Sequence, residues 1–161
     1  MQITDLETLY LSELQEARSV EAQIADAFDA LAAKAADPAL KTLLDAEVRD
    51  AAQHRDRLGE LVAAHGGAPR AHEDRTMRAM LDEADRWAGA IEDDAARDAA
   101  LIASAQRVQH YEIALYGSLA AWARHLGMSD RAPLEAILQE EKDADARLTE
   151  IAEGGVNTEA A

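Results

Sequence analysis

Three observations predict an all-α fold: a bundle of four long helices, arranged as two antiparallel hairpins, with a shorter helix in the crossover between them. Alanine, leucine, glutamate and arginine dominate the chain, all residues that favour helix. Aromatic residues make up 4% of it, and strand-like runs of Val, Ile, Thr and Tyr are missing. Apolar residues recur at alternating spacings of three and four through four long segments, separated by Pro, Gly and Asp signals.

The first helix is expected from about residue 5 to about 36, opened by a capping box of Thr4 with Glu7. Leu14, Ala17, Glu21, Ile24, Phe28 and Leu31 form its inward stripe. Asp37-Pro38 supplies an N-cap and a first-turn proline for the second helix. That helix runs to about His65, with Leu40, Leu44, Glu47, Ala51, His54, Leu58 and Leu61 inward, and Gly66-Gly67-Ala68-Pro69 stops it. A shorter helix over about 73–91 presents Met77, Met80, Leu81, Ala84, Trp87 and Ile91.

Asp93 or Asp94 caps a long helix to about Leu126, with Ile102, Ala105, Gln109, Glu112, Tyr116, Leu119 and Ala123 inward. Gly127 ends it, and Ser129 or Asp130 begins the last helix, where Pro133 falls in the first turn. The last stripe is Leu134, Ile137 or Leu138, Glu141, Asp145, Leu148 and Ile151. Residues 154–161 are expected to fray. A connection of roughly 30 residues between the hairpins can run the length of the bundle, as ferritin-like folds require. The chain of 161 residues fits one such domain.

Composition bounds the function. A formal charge of −16 with no clustered Lys and Arg argues against nucleic acid as a partner. The absence of cysteine excludes disulfides and thiolate metal sites. With no apolar run of about 20 residues and no signal-like N-terminus, the expectation is a cytoplasmic protein without a membrane partner.

The informative residues are polar ones on or beside the dry stripes: Glu21, Asp50, His54, Glu112, Glu141 and Asp145. Carboxylates rarely enter a core unless they are paired or bind a metal. Their heights agree as well. Glu21 lies roughly 16 residues before the turn near Asp37, and the matching position after it falls between Asp50 and His54. Glu112 lies roughly 16 residues before the turn near Met128, and its match falls between Glu141 and Asp145.

One Glu per hairpin, followed by an i, i+4 pair of ligand types, is the pattern of carboxylate-bridged dimetal bundles. Five carboxylates and an imidazole nearly balance two divalent cations and suit iron or manganese. Ferroxidase or peroxide-consuming chemistry with oxygen or peroxide is the corresponding expectation. The alternative is a non-catalytic structural or interaction bundle whose acids pair with Arg18, Arg49 or Arg147. Glu47 and Gln109 sit one turn from the layer as supporting groups, and His110 lies beside the stripe. Tyr10, Tyr111 and Tyr116 read as packing aromatics; His65, His72 and His125 read as exposed helix-end or loop residues.

The third long helix carries the most specific string, Arg97-Asp98-Ala99-Ala100-Leu101-Ile102 leading to Ala105-Gln106-Arg107-Val108-Gln109-His110-Tyr111-Glu112-Ile113-Ala114 and Tyr116-Gly117. With Glu13-Leu14-Gln15, Ser19-Val20-Glu21-Ala22-Gln23, Leu138-Gln139-Glu140-Glu141-Lys142, Asp145 and Val156-Asn157, it closely resembles the YciF-like bacterial stress proteins, a ferritin-like family. The resemblance implies a ferritin-like bundle, a homodimer, a dimetal centre, and acidic family positions at Glu21, Glu112 and Glu141. The second helix departs from the family pattern. Arg49-Asp50-Ala51-Ala52-Gln53-His54 has arginine in place of one acid and alanine in place of one ligand, and Gln109 stands where an acid is common.

Overall fold

The computed structural model describes residues 2–68 and 72–161 and is all-helical, with no strand among the described residues. Five helices follow in order: α1 Leu6–Ala32, α2 Pro38–Ala64, α3 Arg75–Ala90, α4 Asp94–His125 and α5 Arg131–Ile151. Short turns make α1 with α2, and α4 with α5, into two closely packed hairpins. The hairpins meet through α1 against α4 and α2 against α5, and α3 lies across α4 and α1. Leu14, Ile24 and Phe28 of α1, Leu40, Leu44 and Leu58 of α2, Leu119 of α4, and Leu134 and Ile137 of α5 fill the core between them.

Helix ends show how local chemistry sets the boundaries. The N-cap of α1 is Asp5, one residue later than Thr4, and the reciprocal partner is Thr8 in place of Glu7. The Thr8 N–H donates to Asp5 Oδ1 at 2.9 Å, and the Asp5 N–H donates to Thr8 Oγ1 at 3.2 Å. At its other end α1 stops at Ala32, four residues short of the periodicity. The cause lies outside the helix. Asp98 of α4, 3% exposed, accepts the Ala36 and Asp37 N–H groups at 2.9 and 2.7 Å, and Arg97 Nε donates to the Lys34 carbonyl at 2.9 Å. Those bonds hold the backbone of the turn in a non-helical path.

Gly66 and Gly127 take φ of 73° and 69°, where a Cβ would be strained. Each closes its helix with the paired backbone bonds of a Schellman motif. Gly66 and Gly67 donate to the Ala63 and Val62 carbonyls, both at 2.9 Å; Gly127 and Met128 donate to Arg124 at 3.3 Å and Ala123 at 2.9 Å. Pro69, the last residue of the expected stop signal, lies outside the described residues.

The crossover helix is anchored by its N-cap. Asp74 caps Met77 at 2.6 Å, receives the Tyr111 hydroxyl at 2.6 Å, and donates its N–H to Ser19 Oγ at 2.9 Å; Gln23 Nε2 donates to its carbonyl at 2.9 Å. The inward side of α3 is Met77, Leu81, Ala84 and Ala88. Trp87, expected on that side, is 43% exposed and carries the Arg86 guanidinium 4.6 Å above its ring.

Where fraying was expected after Gly154, the chain continues through a π turn, Ala152–Val156, into a last helical turn, Asn157–Glu159, and Val156 is buried.

One polar tie joins three helix ends. The Tyr10 hydroxyl donates to Asp130 Oδ2 at 2.7 Å, and His65 Nε2 lies 2.6 Å from the same oxygen. Asp130 and Tyr10 are buried, and the Tyr10 ring meets the His65 ring edge-on at 5.9 Å. His65 is thus a half-buried partner of a carboxylate, not the exposed helix-end residue expected. Asp130→Ala leaves the buried hydroxyl without an acceptor and should cost about 1–3 kcal/mol. Urea denaturation of that variant checks this, with Tyr10→Phe expected to lose roughly 1 kcal/mol.

Candidate metal centre

All four long helices send polar side chains into one inner layer. Glu21 comes from α1, His54 from α2, Glu112 from α4 and Glu141 from α5, and they are 1%, 3%, 2% and 4% exposed respectively. Glu21, His54 and Glu141 each bring a ligand-type atom within 4.8 Å of the others. His54 Nδ1 lies 3.2 Å from Glu141 Oε1 and 3.4 Å from Glu21 Oε1. These approaches lack hydrogen-bond geometry, so Nδ1 is buried without a hydrogen-bond partner, as is Glu21 Oε2. A buried carboxylate oxygen without a donor, and an Nδ1 met only by the charge of Glu21 and Glu141, make a dry layer that a bound cation would stabilise.

The surrounding bonds orient the set. The Tyr116 hydroxyl, fully buried on α4, donates to Glu21 Oε1. On the other ring edge His54 Nε2 lies 2.6 Å from Glu140 Oε2, a carboxylate that is 54% exposed. Gln109 Nε2 donates to Glu47 Oε2 at 2.8 Å, which steadies a second buried carboxylate beside the layer.

Electrostatics follow from crowding. Burial and the neighbouring Glu141 and Glu21 carboxylates hold Glu112 well above the usual carboxylate range. Burial, then the Glu141 charge, pushes Glu47 up to about 7; burial pushes Glu141 up to about 7 as well, against the opposing pull of His54. For His54 burial alone would lower the pKa, but Glu141, Glu21 and Glu140 outweigh it and raise it to about 11. Without a metal, then, the layer holds protons on some carboxyls and a cationic imidazole between others.

Of the six residues singled out from the sequence, four are brought together here. Asp50 is half-buried at the edge of the α2 stripe, in a surface groove with His54, Glu140 and Glu141. Asp145 turns toward α4, where Gln106 Nε2 donates to it at 3.3 Å and His110 Nε2 lies 3.5 Å away. Arg49 and Arg147, considered as ion-pair partners for the acids, are exposed, and it is His54 that stands against Glu21 and Glu141.

Glu140 and the hydroxyl role of Tyr116 were not anticipated. A signal for Tyr116 existed, since it lies one turn beyond Glu112 on the same stripe. Glu140 carried none, because an exposed Glu on a helix is ordinary. No described helix is long and apolar enough to cross a membrane.

An all-helical chain with acids and a histidine converging from four helices defines a class, and comparison with known proteins agrees on the family. The family described as a domain of unknown function, DUF892, matches residues 5–161, and the chain belongs to it. The chain is 32% identical to the protein YciF of Escherichia coli (strain K12), over 99% of this chain and 98% of that one. The crystal structure of the E. coli stress protein YciF matches with a TM-score of 0.90 at 32% identity, covering 96% of this chain and 99% of that chain. A Rhodopseudomonas palustris protein, YcfI, described as structural, matches with a TM-score of 0.87 at 34% identity, over 92% and 95% of the two chains. This is a YciF-like protein, as the helix strings suggested.

Proposed function

We propose that the chain is a ferritin-like four-helix bundle whose inner layer binds a divalent cation, iron or manganese, in a stress-associated role such as the description of its E. coli relative suggests. One observation carries the reading: donors from three helices lie within 4.8 Å of one another, all buried, with Glu21 Oε2 and His54 Nδ1 lacking hydrogen-bond partners. Glu21, His54 and Glu141 would hold the ion. Glu112 and Glu47 are the buried carboxylates that a second ion would draw on.

The donor chemistry fits the proposed metals. One imidazole among carboxylates, without thiolate, suits iron or manganese, whereas calcium and magnesium favour all-oxygen sites and structural zinc favours cysteine. A reduced iron or manganese ion there would supply electron transfer to dioxygen or peroxide. The protein's own part is to hold the ligands and manage protons. Tyr116 fixes Glu21 Oε1 and leaves Oε2 for ligation. Glu140 fixes the imidazole through Nε2, so that loss of the Nδ1 proton would present a lone pair to the layer.

Thermal melting with and without Mn(II) tests the reading. A metal that binds only the folded protein stabilises it by about 2.7 kcal/mol at a hundredfold excess over Kd. For a chain of this size that raises Tm by roughly 5–10 °C. A Tm indifferent to Mn(II) and to anaerobic Fe(II) would instead favour a structural bundle, in keeping with the description of the R. palustris relative.

A further inference from the structure

The inner layer lies between the two hairpins. α1 and α2 pack along their lengths, as do α4 and α5, but α2 and α5 meet over a shorter stretch. A groove of about 310 Å³ opens between them. Its inner end is His54 and Glu141, and its mouth carries Asp50, Glu140 and Asp143, with Arg147 to one side. The clefts at α3–α4, α1–α3 and α1–α2, and a second α2–α5 cleft beside Leu43 and Ile151, are lined by none of the inner-layer residues.

We infer that this α2–α5 groove is the route by which a divalent cation reaches Glu21, His54 and Glu141, and that Asp50 and Asp143 draw the ion in without ligating it. The inference rests on the metal-binding reading and adds the path. Three observations carry it. The groove joins solvent to His54, whose Nδ1 is buried without a hydrogen-bond partner. Its size admits an ion with a shell of about six waters at roughly 30 Å³ each. Its lining carries five acids, Glu47, Asp50, Glu140, Glu141 and Asp143, against Arg147 and the His54 imidazole, and a net negative cleft raises the local concentration of cations. Asp50 is half-buried and Asp143 exposed, where a cation can meet them before it is dehydrated.

Stopped-flow mixing of the full chain with Co(II), followed by its visible absorption, separates path from ligand. Asp50→Asn and Asp143→Asn should each slow association about three- to tenfold at low ionic strength, within the range for electrostatic steering. The effect should shrink below about twofold in 0.5 M salt, where charges are screened beyond a few Å. Equilibrium affinity should stay within about twofold, so dissociation must slow in proportion. Asp82→Asn, the same charge change on an exposed position of α3, should leave the rate unaltered.

Equal rates for the groove and α3 variants would overturn the route. Loss of affinity in Asp50→Asn with an unchanged association rate would overturn it too, by making Asp50 a ligand. Failure of the unaltered chain to take up Co(II) at equilibrium would remove the metal reading itself, and the route with it.

Discussion

Stripped of metal and melted across pH, the protein is expected to lose roughly 5–10 °C of Tm between pH 5.5 and pH 8.5. The sign follows from the inner layer. Glu47 and Glu141 are raised to about 7 and Glu112 is raised as well, so the folded chain keeps protons that the unfolded chain releases above about 4.5. Their favourable contribution is complete below the unfolded value and is lost as pH rises through the folded one.

His54 acts in the same direction over a higher window. Its pKa rises to about 11, so the stability it gives is full below about 6.5 and falls as pH climbs toward 11. One unit is worth about 1.4 kcal/mol, but the four groups titrate together, so the sum is on the order of a few kcal/mol. With saturating Mn(II) the trend should reverse above about pH 6, because ligands bind metal only after giving up their protons. Differential scanning calorimetry at several pH values checks both arms. A metal-free Tm that rises toward pH 8.5 would mean that the layer does not hold those protons.

The second large effect is expected from His54→Ala. In the metal-free protein it takes away the cation between Glu21 and Glu141, and breaking a buried pair in this way costs about 3–5 kcal/mol. Glu140, exposed on its other side, loses only a surface partner. The same variant removes the one nitrogen donor of the proposed centre and should weaken Mn(II) binding at least about a hundredfold. Chemical denaturation and metal titration of one preparation read the two losses separately. Full stability together with full affinity would show that the imidazole neither pairs nor ligates.

Much of this arrangement was legible in the sequence. Helix stripes and the distance of each residue from its hairpin turn place Glu21, His54, Glu112 and Glu141 at one height; the structure brings Glu21, His54 and Glu141 within 4.8 Å, with the buried Glu112 beside Glu21 and Glu141. Asp145 shows the limit of that reasoning. On α5 the buried positions are Leu134, Ile137, Glu141, Ala144 and Leu148, so the stripe passes through Ile137 and Ala144. Periodicity alone admits either Ile137 or Leu138 on the stripe, and the phase through Leu138 leads to Asp145. Asp50 sits beside Ala51 at a stripe edge for a related reason.

The tyrosines mark another boundary. The helical period marks each as a packing ring, yet Tyr10, Tyr111 and Tyr116 donate across helices to Asp130, Asp74 and Glu21. A helical period says which side of a residue faces inward. It does not say which carboxylate of another helix meets the polar tip. The early end of α1 was hidden for a similar reason, because its cause, Asp98, lies about 60 residues away in sequence.

Metal content per chain reads out cation binding by Glu21, His54 and Glu141. After anaerobic loading with Fe(II) or Mn(II) and removal of loose ions, elemental analysis should find at least about one ion per chain. Glu21→Ala should hold none, since it removes one of the three donors that, among the described residues, lie within 4.8 Å of one another. Metal retained equally by that variant, or none in the unaltered chain, would mean that these three residues form no cation site.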